Sequence, residues 1–157
     1  MESIVVNKII ETCSKVCFEN VSLIKNNCHE ISITAKLMCA LSSKFTDWDV
    51  DIEYNRDVGD VKRLMCGALV RPDIIIHKRK RKGRENNLAI IEVKKNACAR
   101  SATEDLKIIC DFTTRGGQYC YQVGIFINIL YNKIEYCVVK NGKIANKLCT
   151  HAFVVLK

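Results

Sequence analysis

Asp73, Glu92 and Lys94 are the residues whose types and spacing could do chemistry. They lie in the stretch RPDIIIHKRKRKGRENNLAIIEVKK, residues 71–95, where charge interrupts two apolar runs. Strand side chains alternate faces, so Glu92 and Lys94 point the same way and Val93 points opposite. Asp73 and Glu92 are 19 residues apart. That separation allows two short strands and a turn to set the carboxylates side by side. Two carboxylates buried together repel. A divalent cation resolves the conflict, and Mg²⁺ suits it, using one or two carboxylates and leaving other positions to water and phosphate. Lys94 beside such an ion could orient or deprotonate a water, or stabilise charge developing on a phosphate. The plainer reading makes Asp73 a surface acid at a strand start and Glu92 a strand-end acid paired with Lys94 or Lys95.

These residues need a hairpin to hold them. Strands are expected near residues 71–78 and 87–95, antiparallel, with the basic segment, Gly83 and Asn86-Asn87 turning between them. Pro72, the chain's one proline, fixes the backbone where Asp73 begins. Upstream, helical spacing predicts helices over about 3–18 and 28–44, the second with Ile33, Leu37 and Leu41 on its apolar face. Residues 48–56 alternate as a half-buried strand, with Val50, Ile52 and Tyr54 on one side and Asp49, Asp51, Glu53 and Asn55 on the other. Residues 57–67 read as a loop or excursion. Downstream, a helix is expected over 101–113, with Ser101 and Glu104 as a capping box. A strongly apolar strand follows at 121–130. A terminal hairpin spans 134–139 and a run from Lys143, turning at Asn141-Gly142, and residues 152–156 add a last strand. The order defines an α/β or α+β domain around a mixed sheet.

Pro72-Asp73, followed across a hairpin by Glu92-Val93-Lys94, resembles the signature of the PD-(D/E)XK nuclease superfamily. The order of elements resembles that family's restriction-endonuclease-like αβββαβ core over about residues 28–130. The expected organisation is one domain, 1–157, with a mixed central sheet flanked by helices, an extra N-terminal helix and a C-terminal hairpin. By position, the resemblance implies Asp73 and Glu92 as metal ligands, the Val93 backbone carbonyl as a third, and Lys94 as the catalytic lysine. Glu30 matches the family's helix acid. It also reads as the third helical residue of an Asn27-x-x-Glu30 capping box, and both readings stand. Some members carry a glutamine and a tyrosine on the helix after the signature. Residues 101–113 have neither, and Gln118, Tyr121 and Gln122 come too late to be more than substitutes. The resemblance implies Mg²⁺-dependent hydrolysis of phosphodiester bonds, with Mn²⁺ as substitute, leaving 5′-phosphate ends; the substrate is read as nucleic acid, DNA before RNA. The alternative keeps the fold without the chemistry: a catalytically inactive nucleic-acid-binding or assembly subunit. A third reading is an interaction domain with no nucleic-acid role.

Bulk composition sets the frame. The chain has 157 residues, 48% apolar and 27% charged, enough for a core that folds unaided. No stretch approaches the roughly 20 apolar residues of a membrane span. The start Met-Glu-Ser-Ile lacks a basic secretory leader, so a cytoplasmic protein with no membrane partner is expected. Ten cysteines are scattered without a Cys-x-x-Cys pair. That argues against structural zinc, leaves an iron–sulfur cluster without supporting spacing, and favours reduced thiols acting as small hydrophobes. The net charge is +8. Lys78, Arg79, Lys80, Arg81, Lys82 and Arg84, against Glu85 alone, supply five of those eight charges and form the candidate nucleic-acid contact. The competing reading is a solvated loop. His29 and His77 are candidate rim groups; Tyr119 and Tyr121 are read as packing residues before base-stacking ones. Lys95 is expected in solvent or on a phosphate. A homodimer and a protein partner that supplies specificity are both compatible with this reading.

Overall fold

The computed structural model describes residues 2–146 and 148–153. Helix α1 (Glu2–Glu19), the short α2 (Val21–Lys25) and α3 (Glu30–Lys44) come first. Strand β1 (Asp49–Ile52) follows, then a small excursion of β2 (Arg56–Asp57) and β3 (Asp60–Val61), then β4 (Ile74–His77) and β5 (Asn87–Lys95). Helix α4 (Ala99–Thr113) crosses to β6 (Val123–Ile129), and β7 (Lys133–Lys140), β8 (Lys143–Ile144) and β9 (Cys149–Ala152) complete the order. The main sheet runs β1-β4-β5-β6-β7-β8. Only β5 and β6 pair in parallel, across the α4 crossover; the other pairs are antiparallel. Strand β9 pairs with the start of β7, so the expected C-terminal hairpin extends the main sheet.

Alternation in β5 builds both faces. Ala89, Ile91 and Val93 join Ile74, Ile76, Ile125 and Ile127 in a core covered by α1 and α3. Ile90 joins Ile75, Phe126, Ile109 and Phe112 under α4. Each fully buried isoleucine contributes about 1.5–3 kcal/mol. This is the scale of energy available to hold charged groups in the same sheet.

Several expectations are corrected. The strand over 48–56 ends at Ile52, because Glu53 adopts φ +48° and breaks the alternation. Tyr54 therefore packs on the α4 face, away from Val50 and Ile52. The loop over 57–67 contains the β2–β3 pair and a bridge between Arg63 and Leu69. Helix α3 begins at Glu30 with His29 in the cap position, so Glu30 is its first residue and the Asn27 capping box does not form. Helix α4 begins two residues early, at Ala99. Ser101 then lies inside the first turn, its hydroxyl donating to the Cys98 carbonyl at 3.0 Å, and Glu104 pairs with Arg100. The last strand is Cys149–Ala152; residues 154–156 of the expected strand lie outside the described residues. All ten cysteines are free thiols, but Cys39, Cys66 and Cys98 are exposed and pack in no core.

Candidate active site

Strands β4 and β5 pair Ile74 with Ile91, so one step beyond the ladder Asp73 stands opposite Glu92. By the same register Val93 lies opposite Pro72, where the ladder ends, and the Asp73 carboxylate takes the Val93 N–H at 2.8 Å. The Glu53 N–H donates to the Asp73 carbonyl at 3.2 Å and fixes that backbone. Glu92 and Lys94 share the α4 face of β5, level with Phe126 and Asn128 of β6. Asn128 accepts the Ala97 N–H at 2.8 Å, which holds the turn from β5 into α4.

Two helices bring acids to Lys94. Glu30 receives the Lys94 ammonium at 3.2 Å on one carboxylate oxygen and the Lys95 N–H at 3.0 Å on the other. Asp105, from the middle of α4, places Oδ2 3.6 Å from Lys94 Nζ. The structure thus gathers Asp73, Glu92, Lys94 and Glu30 and adds Asp105, which the sequence reading missed. A signal for it exists. Asp105 precedes Ile109 by four residues and Phe112 by seven, the spacing of the buried face of α4. The Val93 side chain is buried on the opposite face.

The electrostatics follow from burial. Glu92 is 3% exposed, and its Oε1 is buried without a hydrogen-bond partner. Burial, then the charge of Asp73 and a shared hydrogen bond with it, push the Glu92 pKa well above the ordinary carboxylate range. Burial also raises Asp105, against the pull of Lys94. Burial lowers Lys94, but Asp73, Asp105 and Glu30 outweigh it, and its pKa is raised. The surrounding carboxylates thus favour the charged form of Lys94.

This donor set fits a small oxygen-seeking divalent cation. A buried carboxylate oxygen without a partner, beside a second carboxylate, is a repulsion that such an ion relieves. Among the described residues no three His, Cys, Asp or Glu side chains form a cage for a metal on their own. Mg²⁺ does not require one, because water and phosphate complete its coordination.

The basic segment is divided. Arg79 forks onto Asp51 and lies 3.8 Å from Asp49. Lys78 donates to the Asp47 carbonyl and sits over Trp48. Lys82 lies 3.8 Å from Asp57, and Arg84 donates to the carbonyls of Tyr121 and Gln122. Lys80 and Arg81 are exposed and, among the described residues, their side chains make no hydrogen bond or ion pair. His77 sits at the far end of β4 from Asp73, its Nε2 2.9 Å from Asp51. Asp51, expected in solvent, is in that part-buried pair because the β1–β4 register sets it opposite Ile75, diagonal to His77 on the same sheet face. Lys95 donates to the Cys28 carbonyl and is not a free cation. His29 is exposed at the start of α3. Tyr119 and Tyr121 are buried beneath α4, so neither is placed to stack on a base. Gln118 and Gln122 bond Asp57 and the Arg84 carbonyl, away from the Lys94 site.

No known family's sequence profile matches the chain, and no curated protein sequence matches it. Among solved structures, the cryoEM structure of a DrdV–DNA complex is similar, with a TM-score of 0.56 and 15% identity. The similarity covers 90% of this chain and 12% of the DrdV chain, so this protein corresponds to a small part of that one. A likeness at this identity concerns the fold. The chain has a mixed α+β architecture, a mixed central sheet flanked by helices, compatible with the restriction-endonuclease-like fold. No helix among the described residues is long and apolar enough to cross a membrane.

Proposed function

We propose that this chain is a Mg²⁺-dependent nuclease domain that hydrolyses phosphodiester bonds of DNA. The observation that carries the reading is the unpartnered, buried Glu92 Oε1 beside Asp73, with the Lys94 ammonium on the same strand face. Asp73, Glu92 and the Val93 carbonyl would hold Mg²⁺, or Mn²⁺ in its place, and the ion would polarise the scissile phosphate and acidify a water. Glu30 and Asp105 aim Lys94 Nζ and keep it charged. Lys94 then donates hydrogen bonds to charge developing on a phosphate oxygen. Asp73 is oriented by the Val93 N–H, which leaves its other oxygen for the ion. Lys80 and Arg81 are the members of the basic segment available to phosphates. The fold likeness to a protein solved as a DNA complex supports DNA as the substrate. Ten free thiols suit a reducing compartment such as the cytoplasm. Sequence specificity would come from a second copy or a separate protein.

The test is cleavage of duplex DNA, single-stranded DNA and RNA in Mg²⁺, Mn²⁺, Ca²⁺ and EDTA. Activity is expected with Mg²⁺ and Mn²⁺, little with Ca²⁺, none in EDTA, and none for Asp73→Ala or Glu92→Ala. Native-rate cleavage by both variants would remove the site assignment. The second reading is an inactive DNA-binding subunit with the same fold. DNA binding without cleavage in any metal is its signature.

A further inference from the structure

A second polar cavity lies at the other end of β4, near His77, four residues and roughly 13 Å along the strand from Asp73. Lys62, at its wall, is 3% exposed, an unusual position for a lysine. Its ammonium donates to the Arg56 carbonyl and rests 4.8 Å from the centre of the Tyr54 ring. That hydrogen bond uses one of its three donors. Tyr121 also lines the cavity. It is 1% exposed, and its hydroxyl is buried without a hydrogen-bond partner. Two residues with buried donors, one wholly and one partly unused, thus line the same small space.

The mouth has matching chemistry. Lys80 and Arg81, the two members of the basic segment without a side-chain partner among the described residues, line this cavity, as does Arg56. Among the described residues Asp57 is the one carboxylate in the lining; it is engaged by Gln118 at 3.1 Å and Lys82 at 3.8 Å, and its charge and that of Asp51 also act on Lys62. Both rims carry non-glycine residues in the left-handed region, Val58 and Lys80, each at φ +61°. For a β-branched valine that conformation costs free energy, and such strain concentrates at functional segments. The enclosed part is about 10 Å³, room for one water-sized atom and too small for a whole polyatomic ion.

We propose that this cavity is a phosphate-binding site, in which one anionic oxygen enters against Lys62 and Tyr121 while Lys80 and Arg81 take the oxygens left at the mouth. The phosphate is either a backbone group of a DNA strand or a free phosphate; the chemistry of recognition is shared. The DNA arm rests on the reading of the chain as DNA-binding, but no part of the site uses Asp73, Glu92 or Lys94. Failure of the nuclease reading and failure of this one are therefore separable.

The experiment is calorimetric titration of the protein with inorganic phosphate, paired with DNA-binding anisotropy on a short duplex in EDTA, where cleavage does not intervene. Lys62→Met keeps the length of the side chain and removes its charge. Tyr121→Phe removes a single oxygen and serves as the readout should Lys62→Met fail to fold. Phosphate is expected to bind the native protein with one-to-one stoichiometry, at least tenfold more weakly to Lys62→Met and several-fold more weakly to Tyr121→Phe. Where the source is a DNA strand, duplex affinity falls in both variants, and the slope of log K against log salt shrinks by about 0.9 in Lys62→Met. Loss of phosphate binding with native DNA affinity supports the site and assigns it to free phosphate. No phosphate binding by the native protein, with native DNA affinity and salt slope in both variants, overturns the proposal and leaves the cavity holding a structural water only.

Discussion

The placement of Lys94 among carboxylates from three directions decides what it can do. Asp73, Glu30 and Asp105 favour its charged form, and in the proposed nuclease that ammonium would act on the transition state more than on ground-state binding. Lys94→Ala should lower the cleavage rate about 100-fold or more with little change in DNA affinity. Lys94→Arg should also be poor, because a planar fork does not replace a compact ammonium between Glu30 and Asp105. Glu30→Gln keeps an acceptor for the Lys95 N–H but removes the charge, so the rate should fall and the Mg²⁺ concentration for half-activity should rise. A titration overlapping the native curve would remove Glu30 from the site. Glu92 gives a stability test. Its folded pKa is raised, so in the metal-free protein the native state binds more protons than the unfolded chain from about the ordinary carboxylate pKa upward. The stability it confers is complete below that value and is lost as pH rises through the folded pKa. Glu92→Gln should therefore raise the metal-free Tm at pH 7 and change it little at pH 4. Glu92 and Lys94 were legible in the sequence because strand alternation is strict, and Asp73 because a hairpin of that length sets it beside them. Asp105 was obscured by Glu104 beside it, which faces solvent and Arg100.

At the scale of elements, the site depends on how closely α4 lies on the sheet. Gly124 of β6 sits directly beneath it. A Cβ there would overlap Ile109 Cγ2 and come within 3.0 Å of Thr113 Cγ2. Gly124→Ala should destabilise the fold by about 1–3 kcal/mol through overpacking, measured as a lower urea midpoint at unchanged m-value. By lifting α4 it should also move Asp105 from Lys94 and slow cleavage. The excursion between β1 and β4 makes a different prediction. Burial lowers the Lys62 pKa from 10.5 to about 8, opposed by Asp57 and Asp51. Between those values the unfolded chain binds the proton that the native state has released, so stability due to Lys62 rises with pH. Native protein should gain stability relative to Lys62→Met on going from pH 8 to pH 10, and a constant difference would show that Lys62 does not titrate there. The excursion was legible as an interruption, but the strand pair inside it was not. Its strands are two residues each, and the turn at Glu53 that starts it rests on a left-handed φ no sequence period reveals. The β4–β5 hairpin was legible, because two apolar runs around a polar, Gly- and Asn-containing turn have few other solutions. The caps were not. Cys98 and His29 precede α4 and α3 with no side-chain cap bond, and tertiary contacts, chiefly Glu30 with β5, fix where those helices begin.

Over the whole molecule the net charge of +8 overstates the field available to an anionic partner. The basic segment reads as six cations, yet Arg79 is neutralised by Asp51 and Asp49, and Lys82 lies beside Asp57. Lys78 and Arg84 are tied to backbone carbonyls. Lys80 and Arg81 are the two exposed members left with unengaged side chains among the described residues. The sequence could not separate these roles, because the acids that engage the others lie on β1 and in the excursion, more than twenty residues away. Charge-removing variants should separate them. Lys80→Ala combined with Arg81→Ala should weaken duplex binding and reduce the magnitude of the slope of log K against log salt by about 0.9, the one phosphate contact that the two side chains share. It should leave the urea midpoint near native, since neither side chain holds the fold. Arg79→Ala should do the reverse. It leaves Asp51, a largely buried carboxylate, with His77 as its remaining partner, and should cost on the order of 1 kcal/mol of stability. Its salt slope should change by much less than one contact, because Arg79 already has its anions. Equal slopes for the two variants would mean that the segment acts as a diffuse cloud of charge, in which internal pairing does not select which cations meet the partner.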